Sequence, residues 1–437
     1  MNNKIFKPYN PAQSFLLPPS MSDWLPKNHL AYFIMDVVSS LDLSAFYESY
    51  NNPRGGPPFD PSMMLNILMY CFCKGVRSSR KIEEALHSDI ALRVLSGDQQ
   101  PDHWTISNFR RRHSEAISGL FLQILKMAQK AGLVKMGHVA IDGTKLKANA
   151  SIHRAMSYGR MKEEEKRLQK IVEQYLKECE EIDRIEDELY GDKCGDELPP
   201  DLADPQKRLK KIREAMKELE EEARQAADED DEEARPPDKA QRNFTDPESR
   251  VMMDSSKAFI QGYNGQVAVD TKNQIIVGAD LSDQAVDRRL LLPMVEQVVQ
   301  NTGEKPQEIS ADAGYWSKTN ITTLEENSYD VYIPPDKVRH REWRECNPPR
   351  VGPSSEGRLT ERMRSKLRTE RGRERYKQRH TTVEPVIGQV KECRGLRQFL
   401  LRGLDLNRAM WRFECAMHNL LKMFRLEVNL EALGSTG

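Results

Sequence analysis

The chain has 437 residues, of which 66 are Lys or Arg and 67 are Asp or Glu, so its formal net charge is −1. This length allows two or three domains with a sizeable core. No apolar run approaches the ~18 residues of a membrane helix, which excludes a membrane-spanning protein. The N-terminal stretch lacks the apolar centre of a secretory signal, and the seven cysteines have neither CxxC pairs nor zinc-site spacing. We therefore expect a cytoplasmic protein with reduced thiols.

The near-neutral average hides an uneven distribution of charge. Residues 153–250 hold 20 basic and 30 acidic residues, whereas residues 336–402 hold 19 basic and 9 acidic residues. A local basic excess of this kind is typical of a surface that binds a polyanion. The alternative is a solvated basic loop without a partner.

Residues 1–134 are predicted to form a helical N-terminal domain. Pro61 starts a strongly apolar helix that ends at Gly75, and its two cysteines should be buried. Thr105 can cap a long helix that ends at Gly132. Three basic residues fall near its start: Arg110, Arg111 and Arg112. Short successive helices with basic residues near a helix start are typical of helix-turn-helix DNA readers. The alternative is a helical support domain with ordinary surface arginines.

A strand pattern begins at His138. The apolar residues 139–141 predict a short strand that ends at Asp142, which Gly143 follows. Because Asp-Gly is also a common turn signal, this motif taken alone favours a turn residue.

Residues 155–235 carry heptad-like apolar spacing on two long segments. The positions that recur are Leu168, Tyr175, Ile182 and Leu189, and later Leu209, Ile212, Met216, Leu219 and Ala223. Such a narrow apolar seam predicts an antiparallel helical hairpin, with a dimerising coiled coil as the alternative. The six consecutive acids at 228–233 should be solvated.

Strand patterns resume after the hairpin and alternate with a helix, which predicts an α/β fold with a mixed sheet. The strand-like segments are 265–270, 274–280, 308–312 and 329–333, with a helix over 287–300. Residues 336–375 lack apolar periodicity and are predicted to be an extended basic loop, followed by helix over 383–426. We divide the chain into an N-terminal domain (1–134), a catalytic domain (135–152 and 251–427) and an inserted hairpin (153–250).

Three acidic residues stand in positions that suit metal-dependent phosphodiester chemistry. Asp142 and Asp312 end predicted strands, and Glu384 lies on a predicted helix that Thr381 or Thr382 can cap. Converging carboxylates are the ligands that Mg²⁺ prefers. In a site with two ions ~3.5–4 Å apart, one ion activates the attacking oxygen and the other stabilises the leaving oxygen.

Lys391 lies seven residues after Glu384, so the two side chains should share one helix face, where the lysine can bind phosphate. Each is more often a plain surface residue. Three further acids also end strands or lie in turns: Asp270, Asp280 and Asp283. Of these, Asp280 is the best competitor for a metal role. Tyr315 and Trp316 could stack on a frayed base, although such aromatics more often belong to the core.

These motifs together resemble the signature blocks of bacterial insertion-sequence transposases of the DDE class. The blocks are IDGTKLKANAS around Asp142, SADAGYWS around Asp312, and the spaced set Tyr376, Arg379, Glu384 and Lys391. GVRSSRKIEEAL, GYNGQVAVD and the charged helical insertion extend the resemblance over nearly the whole chain.

The resemblance implies an RNase H-like core that cleaves DNA at transposon ends with Mg²⁺ and transfers the freed 3′-OH into target DNA. It makes Asp142, Asp312 and Glu384 the ligands of two Mg²⁺ ions, for which Mn²⁺ can substitute. It makes Tyr376, Arg379 and Lys391 the residues that bind DNA near the cleaved end. The DNA partner that it implies is the double-stranded terminal inverted repeats. One departure is that four residues, not three, separate Arg379 from Glu384, so that His380 takes the usual arginine spacing.

The resemblance further implies a homodimer or larger assembly on DNA and a nucleoid-associated location. Three other interpretations stay open: a catalytically silent DNA-binding protein of the same fold, a nuclease without strand transfer, and a structural coiled-coil protein.

Overall fold

The computed structural model describes residues 23–50, 57–190, 200–226, 235–254, 256–336, 355–430 and 432. The six consecutive acids predicted to be solvated, at 228–233, lie outside these residues. In the part of the chain that is described, no helix is both long and apolar enough to cross a membrane.

The N-terminal part is all helical. Its helices are α1 (Leu30–Ser40), α2 (Ser44–Glu48), α3 (Pro61–Cys73), α4 (Ser79–Ser88), α5 (Ile90–Leu95), α6 (His103–Arg112) and α7 (Ser114–Lys130). Helix α3 starts as predicted, with Pro61 in its first turn and the side chain of Asp60 accepting from Ser62 N. It ends before Gly75, whose φ of +78° suits glycine. Both cysteines of α3 are buried, as the apolar pattern predicted.

The single helix predicted from Thr105 to Gly132 is wrong, because the chain breaks at His113 into α6 and α7. Asp102, rather than Thr105, is the N-cap of α6, and its carboxylate accepts from Thr105 N at 2.7 Å. His113 is buried against the ring of Phe109. The three arginines therefore lie in the last turn of α6 and just before α7, not near the start of the helix that was predicted.

The central and C-terminal parts of the chain contain one mixed sheet. The strands of the chain are β1 (His138–Lys147), β2 (Ala155–Ser157), β3 (Gln241–Asn243), β4 (Arg250–Met253), β5 (Phe259–Asp270), β6 (Ile275–Ser282), β7 (Glu308–Ala311) and β8 (Asp330–Tyr332). The sheet order is β4-β5-β1-β7-β8. Strands β4 and β6 pair with the same edge of β5: β4 pairs with residues 259–262 and β6 with residues 264–270. Strand β1 pairs antiparallel with β5 and parallel with β7. Three antiparallel strands beside a parallel β1-β7-β8 set form the RNase H-like core.

Helices cover both faces of this sheet. The remaining helices are α8 (Tyr158–Tyr190), α9 (Pro200–Ala226), α10 (Leu291–Thr302), α11 (Lys318–Glu326), α12 (Ser355–Arg368), α13 (Glu370–Gly388) and α14 (Leu404–Arg425). The Cβ position of Gly265 on β5 faces Trp411 of α14, whereas that of Gly278 on β6 faces Val298 of α10. Because Gly278 pairs with Ala268, these two glycines point to opposite faces. The fold is thus α/β, with a buried sheet between helices.

The insertion is an antiparallel pair of helices, α8 and α9, closed at its base by the β2–β3 pair. Its apolar seam follows the predicted heptad positions within the described side chains. The buried residues are Tyr158, Met161, Leu168, Leu209, Ile212, Ala215 and Leu219. The side chains of Tyr175, Ile182 and Leu189 lie outside the described part. Burying the seam against its own partner helix supports the hairpin over the dimerising alternative.

Three local predictions in the last part of the chain are wrong. The helix predicted over 383–426 is interrupted, because α13 ends at Gly388 and α14 begins only at Leu404. Residues 355–375 are not an extended loop: they form α12 and the start of α13, while 337–354 lie outside the described residues. The cap of α13 is Thr369, whose hydroxyl accepts from Gly372 N at 3.0 Å. Thr381 and Thr382 are therefore helix-interior residues rather than caps.

Candidate active site

Two of the predicted acids meet where β1 and β7 run parallel. The register pairs Val139 with Ile309 and Ile141 with Ala311, so Asp142 and Asp312 are the next pair along the two strands. Strand β1 does not end at Asp142 as predicted. It continues to Lys147 against β5, and only its pairing with β7 stops at Ile141. Asp142 is therefore the first residue of β1 beyond its parallel pairing with β7, while the strand itself continues against β5.

Burial dominates the environment of Asp142, whose side chain is 18% exposed. Loss of solvent raises the pKa of this carboxyl to about 6, the Arg379 guanidinium opposes the rise, and the nearby negative charge of Asp312 adds to it. Gly143 N donates to Asp142 Oδ1 at 2.8 Å. Arg379 therefore offsets only part of the negative charge of Asp142 and Asp312, and a further cation beside these carboxylates would be stabilised.

Glu384 approaches from helix α13, whose local sequence holds it against the sheet. Val383 and Val386 are fully buried, which leaves Glu384 half exposed at the helix surface. Pro385 has no N–H, so the carbonyl of Thr381, four residues earlier, loses its helical donor. Gln274, in the β5–β6 turn, donates to this carbonyl from Nε2 at 2.9 Å. The proline within the helix is therefore compensated by a contact with the sheet.

Arg379 joins the helix acid to the strand acid. Its Nη1 donates to Asp142 Oδ2 at 2.7 Å, and its Nη2 lies 3.5 Å from Glu384 Oε1. The residue is 5% exposed. His380 Nδ1 also contacts Glu384 Oε1. The extra residue between Arg379 and Glu384 thus leaves both basic side chains in reach of the acid.

The carboxylates are of the right kind for a hard cation but do not form a complete cage. Among the described residues, no three His, Cys, Asp or Glu side chains are grouped closely enough to hold an ion. One reason is that the guanidinium of Arg379 stands between Asp142 and Glu384. Asp312 Oδ1 also accepts from Gly314 N at 2.8 Å, so this carboxylate caps the turn that follows β7. The acids at this edge nevertheless offer only oxygen donors, which are the ligands that Mg²⁺ prefers.

Asp287 is an acid at this edge that the sequence interpretation missed. A Cβ at Gly314 would lie 2.9 Å from Asp312 Oδ1 and 3.5 Å from Asp287 Oδ2, so the two carboxylates are neighbours. The sequence assigned Asp287 to the start of a helix, and the structure has a short 3-10 turn there, before α10. The only signal was an acid just after strand β6, in the phrase AVDRR, which resembles many solvent-exposed turns.

The other predicted acids are engaged elsewhere. Asp280, the best competitor, pairs with Arg408 at 3.1 Å and Arg412 at 3.2 Å. Asp270 is buried and accepts from the backbone of Met136 at 2.9 Å, while Asp283 faces Arg250 at 3.5 Å. None of the three is near the Asp142–Asp312 edge in these contacts.

The predicted DNA-binding residues beside the acids also meet the sheet. Tyr376 stacks its ring 5.5 Å from the Arg379 guanidinium. Lys391 lies in a π-helical turn after α13, and its Nζ donates to Thr144 Oγ1 at 2.9 Å and to Lys145 O at 3.2 Å. Burial lowers the pKa of Lys391.

Arg110 does not fit the prediction that it binds DNA. It is 4% exposed, and its guanidinium donates to Arg77 O at 2.7 Å and Ser79 Oγ at 3.1 Å. Its role in the structure is to tie α6 to the start of α4. Arg111 and Arg112 are exposed, although the Arg112 guanidinium also lies over the Tyr50 ring at 4.3 Å.

The two aromatics after Asp312 belong to the core rather than to a stacking surface. Tyr315 is fully buried and its hydroxyl donates to Gln266 Oε1, while Trp316 packs partly buried against the same core.

Comparison with known families agrees with this architecture. The family described as Transposase domain (DUF772) matches residues 19–112, and the family described as Transposase DDE domain matches residues 230–420. The second match contains Asp312 and Glu384, whereas Asp142 lies between the two matches. No curated protein and no solved structure matches the chain. With both transposase domains in order along one chain, this protein belongs to the insertion-sequence transposases of the DDE class.

Proposed function

We propose that this transposase cleaves DNA at transposon ends in a Mg²⁺-dependent reaction and transfers the freed 3′-OH into target DNA. The observation that carries the proposal is the parallel register that sets Asp142 beside Asp312, with Glu384 held over them through Arg379. Asp142, Asp312 and Glu384 would hold two Mg²⁺ ions. Bound there, the ions would supply an activated nucleophile and stabilise the leaving oxygen.

The residues of the chain have distinct tasks in this proposal. Asp142 lies on β1 and Asp312 directly follows β7, two neighbouring central strands, which fixes their spacing. Glu384 is half exposed, so it can turn toward the two aspartates once Arg379 releases it. Arg379 neutralises the acids before the metal arrives and can then bind a phosphate bidentately.

Lys391 and Tyr376 flank the acids on the side from which a DNA backbone would approach. Lys391 Nζ contacts Thr144, which lies on β1 two residues after Asp142. This position suits contact with a phosphate next to the cleaved bond. In the N-terminal domain, Arg111 and Arg112 are the exposed members of the arginine run, and we assign contacts with the terminal repeats to them rather than to Arg110. Joining two ends requires at least a dimer on the DNA.

The test incubates the purified protein with DNA of its flanking inverted repeats, a target plasmid and Mg²⁺, and maps cut and joined strands. Asp142→Asn, Asp312→Asn and Glu384→Gln should abolish cleavage while sparing DNA binding. Asp280→Asn is the matched control, because it removes an acid of the same sheet that pairs with arginines.

The outcomes separate the alternatives. Cleavage without joined products would indicate a nuclease only. DNA binding without cleavage by the wild type would indicate a silent binding protein. Full cleavage by any one acid variant would remove that residue from the site.

A further inference from the structure

We propose that a small cavity between the N-terminal helices and α14 binds one monatomic anion of the size of chloride. The volume of the cavity is about 20 Å³, which is room for a single particle comparable to a water molecule. Arg77, which lies between α3 and α4, and Arg110 of α6 line the cavity, and Glu414 lines it from α14. The site is distinct from the acidic edge of the sheet and independent of the proposed cleavage of DNA.

Both arginines carry a buried N–H group without a hydrogen-bond acceptor. Arg77 Nη2 and Arg110 Nε have no such partner among the described residues. The Arg77 side chain is 10% exposed and Arg110 is 4% exposed. A buried N–H group of a charged side chain costs free energy unless an acceptor meets it. Because both arginines line the same cavity, one acceptor placed there would serve both.

The remaining N–H groups hold the two guanidinium groups in place. Arg110 donates to Arg77 O at 2.7 Å and to Ser79 Oγ at 3.1 Å. Arg77 donates from Nε to Glu414 Oε1 and from Nη1 to Arg394 O at 2.5 Å. The two N–H groups at the cavity therefore belong to side chains whose orientation is already fixed, which is the property of a preformed binding site.

Positive charge exceeds negative charge around this cavity. Arg394 is a third buried arginine of the cluster, and its Nε lies 3.6 Å from Glu414 Oε2. Glu414 is 1% exposed and faces Arg77 with one oxygen and Arg394 with the other. Among the described residues, no carboxylate forms an ion pair with Arg110. Three guanidinium groups and one carboxylate leave an excess of two positive charges.

Neighbouring titratable side chains do not supply the missing negative charge. Burial lowers the pKa of Arg110 to about 10, and the charge of Arg111 lowers it further. Burial raises the pKa of Cys73 to about 12 and lowers the pKa of His418 to about 3, so both side chains are uncharged at neutral pH. A water molecule would satisfy the N–H groups but leave the excess charge, whereas an anion compensates both.

The cavity borders solvent along the segment between α13 and α14. Gln398 and Leu400 line it there, and both are exposed, Leu400 by 47%. A monatomic ion therefore has a short path from solvent. A DNA phosphate or an organic carboxylate is larger than the cavity, which restricts the ligand to a halide-sized anion.

The test measures urea denaturation of the full-length protein, without DNA or divalent metal, while sodium gluconate is exchanged for sodium chloride at constant ionic strength. The midpoint should rise with chloride and reach a plateau, because an ion that binds only the folded state stabilises it by mass action. Bromide should act as chloride does. General salt effects on stability do not saturate in this way.

Three variants locate the ion. Arg110→Gln removes one charge and the Nε donor of the cavity but keeps an amide donor, and it should lose the rise with chloride. Arg394→Gln keeps the Arg77–Glu414 pair and lowers the excess charge from two to one, so it should weaken chloride binding at least threefold. Arg80→Gln replaces an exposed arginine of α4 and should respond to chloride as the wild type does.

The ³⁵Cl NMR linewidth of the wild type gives a readout that needs no variant, since the protein should broaden the chloride signal and bromide should reverse the broadening. A wild type without broadening and without a plateau in chloride would overturn the inference and leave water as the occupant. Equal chloride responses in Arg110→Gln, Arg394→Gln and the wild type would place the ion elsewhere. Neither result would affect the proposed metal-dependent cleavage, which Asp142→Asn tests separately.

Discussion

Arg379 Nη1 lies 2.7 Å from Asp142 Oδ2, so a helix residue and a strand residue far apart in the sequence form a largely buried ion pair at the centre of the site. Burial alone would lower the pKa of Arg379, but Asp142 and the neighbouring tyrosine and acids raise it. The guanidinium is therefore a permanent cation where the proposal expects a metal ion.

The first prediction concerns the replacement of this internal cation. Arg379→Gln should lower the free energy of unfolding at pH 8 by about 1–3 kcal/mol without metal, because buried Asp142 loses its charged partner. Adding Mg²⁺ should restore more stability to the variant than it adds to the wild type. Urea denaturation with and without Mg²⁺ measures both.

Arg373→Gln is the matched control on the same helix, because that side chain is exposed and its loss should change stability by less than about 0.5 kcal/mol. An equal effect of Mg²⁺ on Arg379→Gln and the wild type would contradict exchange between arginine and metal.

Lys391 should contact a DNA phosphate. Lys391→Ala is expected to weaken DNA binding at low salt and to reduce the slope of log K against log salt by about 1. Lys422→Ala is the control, since this lysine of α14 is also half buried with a lowered pKa but bonds Gln274 Oε1 at 2.6 Å. An unchanged slope for Lys391→Ala would exclude the phosphate contact.

Gly143 should not tolerate a side chain. Gly143→Ala places a methyl group against Gln266 and within 3.1 Å of Asn264 Oδ1, so the free energy of unfolding should fall by about 1–3 kcal/mol. Gly137→Ala, just before β1, meets nothing within 4 Å and should be nearly neutral. Similar denaturation midpoints for the two variants would show that the β1–β5 packing can relax.

The buried histidine of α14 predicts a pH dependence of stability. Burial, aided by the charge of Arg394, lowers the pKa of His418 from 6.5 to about 3, and its ring contacts Gln274 O at 2.9 Å. The unfolded chain therefore binds one more proton than the folded chain between these values. Stability from this group is complete above pH 6.5 and falls below it, by at most about 1.4 kcal/mol per pH unit.

Replacing His418 by Gln should flatten this slope between pH 6.5 and 5 in denaturation measured at several pH values. His87→Gln, at the exposed end of α4, should leave the slope unchanged. A slope that survives in His418→Gln would assign the acid sensitivity to other groups.

Sequence patterns predicted the sheet, the helical hairpin and the N-terminal helices, because apolar periodicity records which faces are buried. They also predicted that Asp142 and Asp312 end strands: Asp312 directly follows β7, whereas Asp142 lies within β1, and the register sets the two side by side. Local signals failed where distant partners decide the outcome. Arg110 is buried because its guanidinium donates hydrogen bonds to a carbonyl and a hydroxyl more than thirty positions away in the chain. No local sequence pattern contains that information.

The position of Asp287 was missed for the same kind of reason. Its significance comes from donors on β1 and β5 that meet it only in the folded chain. The break at His113 is another example, since the ring is held by aromatic neighbours from α2 and α6. Helices and strands with regular apolar spacing were predictable from the sequence, whereas the positions of side chains fixed by tertiary contacts were not.

The β2–β3 pair at the base of the helical insertion has a consequence for the architecture of the protein. Ala155 pairs with Asn243, so the chain leaves and re-enters the catalytic domain at neighbouring positions. With respect to the sheet, the whole hairpin therefore occupies the place of a short surface loop. Its helices can be lengthened, trimmed or exchanged for another module without displacing Asp142 from its neighbours, which makes this appendage a place where related elements could diversify while their chemistry stays constant.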